Sequence, residues 1–447
     1  RTVEWVVAML AVHKAGAAFV ALDPALPQER QAQLLRSSAA CLMLVDVPAT
    51  LPGLDTPRLV IADAKGGAMA AAVALERSNA AYLVYACGST GQPKGVVVEH
   101  GALLNYVQGV VQRIEWQDVQ RMALVSTLSA DLGYTQLFAA LCTGRTLHLV
   151  DTDLAMDADG FADYMGRHAI DALKIVPSHL DALLKAARPE QVLPRRYLVL
   201  GGEACPSTLL TEIHRLAPQC RVFNHYGPTE TTVGVMAGDI DLAVATPRAS
   251  LGHPLANSHV RVLDADLQAV LDGVPGELHI GGAGLARGYV GQPGLTAERF
   301  VPDPAGVPGA RLYRSGDQVR RGAAGIDYLG RVDDQVKIRG YRIKPGEVAN
   351  ALRNLPQVRE AAVLAMPSAG GRQLVGYVVA KGEGEPARLR TELFAQLRQA
   401  LPDHLVPSQL VLLADLPLTA HGKPDRKALP QPDATPHAAS MAPTTLL

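Results

Sequence analysis

The sequence predicts an α/β protein built in several pieces, on three observations. Helix-spaced apolar residues alternate with short continuous apolar strands through roughly the first half of the chain, which is the rhythm of helices packed on largely parallel sheets. After about Val235 the texture turns to Gly-rich short strands, the mark of a β-rich subdomain. Beyond a charged stretch from Gly330 to Glu347, strands and a helix remain that suffice for a small separate α+β domain.

Taken in order, Val3, Val6, Val7 and Leu10 recur at helical spacing, Gly16 supplies a stop, and Ala17 to Leu22 reads as a buried strand closed by Asp23-Pro24. The pattern repeats as a helix over Gln28 to Ser38 and a strand over Cys41 to Asp46. Gly101 to Arg113 reads as a helix, and Leu147 to Asp151, Leu173 to Val176 and Tyr197 to Gly201 as strands, with helical stretches such as Leu180 to Ala187 between them. Gly276 to Gly284 and Arg311 to Gly316 are the short strands of the β-rich part. Ala361 to Ala365 and Val375 to Ala380 are strands and Arg388 to Leu401 a helix of the last domain. From residue 430 on, Pro430, Pro432, Pro436 and Pro443 among Ala, Ser and Thr predict an extended linker.

At 447 residues the chain has length for two or three domains. Its 42 Lys+Arg against 43 Asp+Glu leave a charge of -1, which lacks the basic footprint of nucleic-acid binding. Five scattered cysteines with no CxxC pair argue against a zinc site and a disulfide framework, and predict a reduced, cytoplasmic setting. The apolar run Trp5 to Val12 is stopped by His13 and Lys14, well short of the ~20 residues a bilayer span needs, so no membrane partner is expected. The opening on Arg1 inside a helical pattern suggests a fragment of something longer.

The strongest local signal is Tyr82-Leu-Val-Tyr-Ala-Cys-Gly-Ser-Thr-Gly-Gln-Pro-Lys-Gly95. A strand runs into a loop dense in Gly and hydroxyls with one Lys, and backbone N–H groups, hydroxyls and a cation in such a loop can surround phosphate oxygens. It is not a Walker A loop, because Gly95 follows Lys94. The plain alternative for this segment alone is an ordinary flexible turn. Asn224-His-Tyr-Gly-Pro-Thr-Glu230, Gly276 to Tyr289, Tyr313-Arg-Ser-Gly-Asp317, Gly330-Arg-Val-Asp-Asp-Gln-Val-Lys-Ile-Arg-Gly340 and His421-Gly-Lys-Pro-Asp-Arg426 follow in that order.

With Lys14-Ala-Gly-Ala-Ala-Phe-Val-Ala-Leu-Asp-Pro24 and Leu401-Pro-Asp-His-Leu-Val-Pro407, this ordered set resembles the adenylate-forming superfamily, and within it the adenylation domains of nonribosomal peptide synthetases. The resemblance implies a large core over residues 1–331, of two α/β sheet subdomains plus a β-rich one, and a small mobile α+β lid over 332–429. Asp333 matches the hinge, and residues 430–447 would lead to a carrier domain. It further implies that ATP and an amino acid give aminoacyl-adenylate and pyrophosphate, after which the phosphopantetheine thiol of the carrier protein takes the acyl group. The family's partners include small MbtH-like helper proteins.

By the same resemblance, Ser89, Thr90, Gly91 and Lys94 would hold the β- and γ-phosphates, Glu230 would bind Mg²⁺, and Thr229 would meet the α-phosphate. Tyr226 would stack on adenine with Asn224 at its amino edge, and Asp317 with Arg331 would take the ribose hydroxyls. Lys423 would bridge the reacting carboxylate and α-phosphate, two anions whose approach one ammonium eases. Two departures stand out. Ala86-Cys87 replaces the usual Thr-Ser before the phosphate loop, which predicts weakened phosphate handling, and Ala130 replaces the usual Phe before the Asp that anchors the amino acid.

The family's pocket positions fall on Asp131, Leu132, Thr135, Lys174, Val199, Gly201, His225, Val233 and Gly234. Asp131 would pair with an α-ammonium. Lys174 sits inside an apolar strand, where an unpartnered ammonium costs several kcal/mol, and a substrate side-chain carboxylate is its simplest partner. The set resembles aspartate-activating domains, so L-aspartate is the first expectation, with asparagine, glutamate and β-hydroxyaspartate behind it. An internal acid pairing with Lys174 is the plain structural alternative. An acyl- or aryl-CoA ligase is the rival enzyme, against which Asp131 speaks. A catalytically silent docking module is the rival of another class, against which Glu230, Asp317 and Lys423 count.

Overall fold

The computed structural model describes residues 1–46, 55–64, 73–86, 93–244, 249–322, 325–368, 371–382, 385–417, 425 and 428–432. The chain divides into two compact units, each described by itself. The larger comprises Arg1–Asp23, Gln31–Ala86 and Pro93–Asp333; the smaller takes in Pro24–Arg30 and the described residues from Asp334 on.

The frame of the larger unit is a seven-stranded sheet. Five of its strands are parallel, in the spatial order Thr146–Leu149, Arg121–Leu124, Ala172–Ile175, Tyr197–Gly201 and Arg221–Tyr226. Two antiparallel strands, Met236–Asp239 and His253–Pro254, extend one edge. Numbered along the chain, the parallel strands run 2-1-3-4-5, so the winding reverses between Arg121–Leu124 and Ala172–Ile175. Doubly wound sheets bind ligands beyond the carboxyl ends of the strands at such a reversal. The buried carboxylate of Asp171 helps fix the start of these strands, accepting hydrogen bonds from the backbone N–H groups of Gln120 (2.9 Å) and Arg121 (3.0 Å).

Strand periodicity divides the sheet between two cores. Met122, Leu124, Ala172, Tyr197, Val199 and Phe223 face a core shared with the helices His100–Ile114 and Tyr134–Thr143. Ala123, Leu173, Ile175, Leu198, Leu200 and Val222 face the other, shared with Ala158–His168 and Ser207–Leu216. A second, four-stranded sheet carries Phe19–Val20, Ala80–Ala86, Lys94–Glu99 and Gly288–Tyr289. The expected β-rich part is a five-stranded antiparallel sheet formed by Ser258–Leu263, Pro275–Gly282, Phe300–Pro302, Arg311–Gly322 and Gly325–Arg331.

The smaller unit begins with a hairpin, Val336–Ile338 against Tyr341–Ile343. Its two-residue turn needs positive φ at both centres, met by Arg339 (51°) and Gly340 (78°). The helices Pro345–Arg353 and Pro386–Ala400 accompany a three-stranded sheet of Val358–Ser368, Gly371–Ala380 and Gln409–Leu413. Ile343, Val348, Leu352, Val378, Leu393, Leu397 and Leu405 fill its core. Tyr377 donates its hydroxyl to the Pro430 carbonyl at 3.0 Å, so the beginning of the expected linker is tied to this unit.

The helix over Gln28–Ser38 and the strand over Tyr197–Gly201 match the sequence expectation residue for residue. The helix expected over Leu180 to Ala187 instead spans Pro177–Leu183. Pro177 supplies a preset φ at the first helical position, and Pro189 disfavours helical backbone at Arg188.

Candidate functional site

Of the residues expected to line the pocket, those on strands come together because register carries them to one face at the carboxyl edge. Lys174 lies opposite Val199 and Val199 opposite Phe223; two residues on, Gly201 lies opposite His225. Lys174, Val199, Gly201 and His225 therefore share the face that carries the helices His100–Ile114 and Tyr134–Thr143. Asp131 and Leu132 lie in a single helical turn, Asp131–Gly133, after the strand Arg121–Leu124, and Thr135 lies in the helix that follows. Asp131 and Lys174 thus flank the reversal of winding.

Lys174 is 2 % exposed, and its Nζ donates to Thr135 Oγ1 at 2.6 Å. No carboxylate among the described residues lies within ion-pair distance of it. Burial pulls its ammonium down to about 7, with the field of Asp131 pulling it back up. Burial pushes the Asp131 carboxyl above its usual range, opposed by Lys174 and by a hydrogen bond from Thr229, and reinforced by the charge of Glu230. Asp131 Oδ2 is shielded from solvent and has no hydrogen-bond partner among the described residues. Burial, with Lys174 adding to it, holds His225 well below its usual range and therefore neutral.

The wall beside His225 depends on absent side chains. A Cβ on Gly234 would lie 1.9 Å from His225 Cε1, and one on Gly201 would lie 2.7 Å from the His225 carbonyl oxygen. Gly234 can lie so close because Thr232 and Val233 both take positive φ, 59° and 64°, turning the chain under the imidazole. A positive φ at a β-branched residue such as Val233 is a strained conformation, of the kind that clusters at functional sites.

Next to this pocket lies a second polar group. Glu230, 1 % exposed, accepts a hydrogen bond from the Tyr289 hydroxyl at 2.7 Å, and the Lys94 ammonium stands 5.5 Å from the Tyr289 ring centroid. Lys94 opens the strand that returns against Ala80–Ala86, in register with Ala86. Among the described residues no group of three or more His, Cys, Asp or Glu is placed to hold a metal. Glu230 does fit Mg²⁺ brought in on phosphates, since that ion takes one or two carboxylates and keeps the rest of its shell for phosphate and water.

A third group sits where the seven-stranded and five-stranded sheets meet. Tyr226 donates its hydroxyl to Asp317 Oδ2, and Arg331 donates to Asp317 Oδ1 at 2.5 Å. The same guanidinium donates to Asp333 at 2.6 and 3.1 Å and to the Ser315 carbonyl at 3.0 Å. Asn224 donates to the Ser250 carbonyl at 2.6 Å, leaving its amide oxygen as the acceptor an exocyclic amino group requires. Ser89, Thr90, Gly91, Cys87 and Lys423 lie outside the described residues. Sequence reasoning gave no role to Tyr106, whose hydroxyl meets Thr135, or to Tyr289, whose hydroxyl meets Glu230. A tyrosine in an apolar helix or strand reads as core, and only the tertiary partner of its hydroxyl says otherwise.

A doubly wound sheet with charged groups at its reversal, joined to a β-rich part that carries further polar residues, defines a ligand-binding α/β enzyme core. The AMP-binding enzyme family model matches residues 1–290 and the AMP-binding enzyme C-terminal domain model matches residues 347–423. The dimodular nonribosomal peptide synthase of Bacillus subtilis (strain 168) is 39 % identical over 459 residues, 100 % of this chain and 19 % of that protein. Among solved structures, a holo NRPS protein containing adenylation and PCP domains, bound to a vinylsulfonamide inhibitor, superposes with TM-score 0.80. It shares 26 % identity over 96 % of this chain and 73 % of its own. A four-domain nonribosomal peptide synthetase bound to AMP and glycine superposes with TM-score 0.66, at 31 % identity over 96 % of this chain and 32 % of its own. The chain belongs to the AMP-binding enzyme family, as an adenylation domain of the nonribosomal peptide synthetase type, and spans a small part of the dimodular synthase it matches.

Proposed function

We propose that this domain activates L-aspartate as its adenylate at the expense of ATP, releasing pyrophosphate, and passes the aspartyl group to the phosphopantetheine thiol of a carrier domain. The observation that carries the substrate assignment is Lys174. Of its three N–H donors one goes to Thr135, and the other two have no acceptor among the described residues. A substrate β-carboxylate would take them, and Asp131 would take the α-ammonium through its unpartnered oxygen. Placing an opposite charge against each removes much of the cost of a buried ammonium and a solvent-shielded carboxylate oxygen left apart. Asparagine would leave the ammonium uncompensated. Glutamate differs by one methylene, a difference a pocket reads at only ~1–3 kcal/mol.

The roles of the remaining residues follow from what they can donate or accept. Tyr226, its hydroxyl fixed by Asp317, offers a ring face to adenine, and Asp317, oriented by Arg331, retains lone pairs for the ribose hydroxyls. Lys94 and the loop residues Ser89, Thr90 and Gly91 would hold the departing phosphates, with Thr229 at the α-phosphate. Mg²⁺ on Glu230 supplies charge neutralisation to those phosphates when bound. Lys423 would bridge the substrate carboxylate and the α-phosphate, and Asp333 would serve as the hinge. The AMP and glycine of the four-domain relative support a nucleotide and an amino acid as joint occupants.

Amino-acid-dependent pyrophosphate exchange tests the reading. L-aspartate should give the highest rate of the amino acids offered. Lys174→Ala should lower kcat/KM for aspartate by ~10²-fold or more, the loss expected when a buried charge partner goes. Aspartate activation intact in that variant, or a neutral amino acid outcompeting aspartate in the unaltered chain, would sink the assignment.

A further inference from the structure

Behind Lys174 and His225 lies a hydroxyl to which the sequence reading gave no role. Tyr106, 2 % exposed, is carried on the helix His100–Ile114, and its hydroxyl lies 2.5 Å from Thr135 Oγ1 and 3.2 Å from His225 Nε2. With Lys174 Nζ 2.6 Å from the same Thr135 oxygen, four side chains from four different elements form one unbroken chain of hydrogen bonds.

With Lys174 charged, counting protons favours one direction. A charged ammonium has no lone pair, so Lys174 donates to Thr135. Thr135 and Tyr106 have one O–H each. Were Tyr106 to donate to Thr135, the Thr135 proton would have no acceptor in the chain, and the imidazole would have to donate to Tyr106. In the opposite order Thr135 donates to Tyr106 and Tyr106 donates to His225 Nε2, so that both hydroxyl protons have an acceptor. Buried polar chains favour the arrangement that leaves fewer groups unsatisfied. That order requires a neutral His225 with its proton on Nδ1, and burial holds the ring neutral.

We propose that Tyr106 is a positioning residue that sets the pocket's selectivity for an acidic side chain, holding Lys174 through Thr135 and fixing the tautomer of His225. The inference rests on the reading of the pocket as one for an acidic amino acid. With Tyr106 as its acceptor, the Thr135 hydroxyl turns its lone pairs to Lys174, and the ammonium is held with its remaining protons toward the ligand. Without that acceptor the Thr135 proton competes for the same space, and His225 loses the donor that selects its tautomer.

The test is Tyr106→Phe, which keeps the ring and removes only the hydroxyl. Pyrophosphate exchange should show KM for L-aspartate raised about tenfold, kcat within about twofold, KM for ATP unchanged, and the preference for aspartate over asparagine reduced by a similar factor. Nitrogen-15 NMR of labelled histidine, with His225 assigned by its own substitution, should show Nε2 as an unprotonated acceptor in the unaltered chain and a changed tautomer balance in Tyr106→Phe. Thr135→Val interrupts the chain from the other side and carries the same kinetic expectation. It stands in if Tyr106→Phe is insoluble. Thr135→Ser, which keeps the hydroxyl, should restore most of the preference. A Tyr106→Phe protein that leaves the aspartate-to-asparagine ratio and the His225 resonances unmoved, or loses all amino acids equally through kcat, overturns the proposal. Failure of the underlying reading appears separately, as an unaltered chain that does not activate aspartate at all.

Discussion

Lys174 makes the proposed activity dependent on pH in a definite direction. With no ligand bound, burial draws its ammonium down to about 7, so near neutrality the neutral form competes with the charged one. A bound carboxylate favours the charged form, and binding above that pH therefore takes up a proton. Linkage then requires KM for aspartate to rise with pH above about 7, approaching tenfold per unit. On the acid side the Asp131 carboxyl, pushed up by burial, takes a proton and loses its hold on the α-ammonium, so KM rises again. His225, held neutral throughout, adds no limb. Initial rates against aspartate at fixed saturating ATP check this, and a KM flat from pH 6 to 9 would contradict it. Lys174 was legible in the sequence because a charge inside an apolar strand stands out against its neighbours. Tyr106 was not, since nothing along a helix says where a hydroxyl will find its partner.

At the level of elements, the short turn Thr232–Gly234 decides how closely the chain can approach the imidazole. Gly234→Ala would place a methyl within 1.9 Å of His225 Cε1 in a closed environment, so the ring must move. The expected outcome is a loss of roughly tenfold or more in kcat/KM for aspartate with the fold retained, read by pyrophosphate exchange beside a thermal melt. An unchanged kcat/KM would show that the ring has room to shift. Helices and strands with clear periodicity, such as Gln28–Ser38 and Tyr197–Gly201, were readable from apolar spacing alone. Helix Pro177–Leu183 was displaced in the reading because its start is set by a proline and not by an apolar residue. The strand order was not readable, because short apolar strands carry no label of their neighbours. It is the strand order that brings Asp131 and Lys174, residues far apart in the chain, to the same edge.

For the whole molecule, the two compact units divide after Asp333, a residue whose carboxylate is gripped by Arg331. If this position is the hinge of a domain that works in two poses, restricting its backbone should affect the two half-reactions unequally. Asp333→Pro fixes φ and removes a donor. It is expected to keep pyrophosphate exchange within a few-fold while lowering transfer to a carrier thiol by ~10-fold or more, measured by loading of a labelled carrier. Equal loss of both would argue against a hinge here. No described helix is long and apolar enough to cross a membrane, and the four described cysteines are free. The parallel sheet has a consequence for how such a domain can be retargeted. The backbone hydrogen bonds of its strands hold the register whatever side chains project from the shared face, so on the proposed reading the side chains of Lys174 and His225 would select the amino acid while taking no part in the ladder that positions them. Selectivity is in this sense detachable from architecture. On that reading, exchanging the few side chains at the carboxyl edge for others of like volume would change what is recognised without asking the fold to be rebuilt.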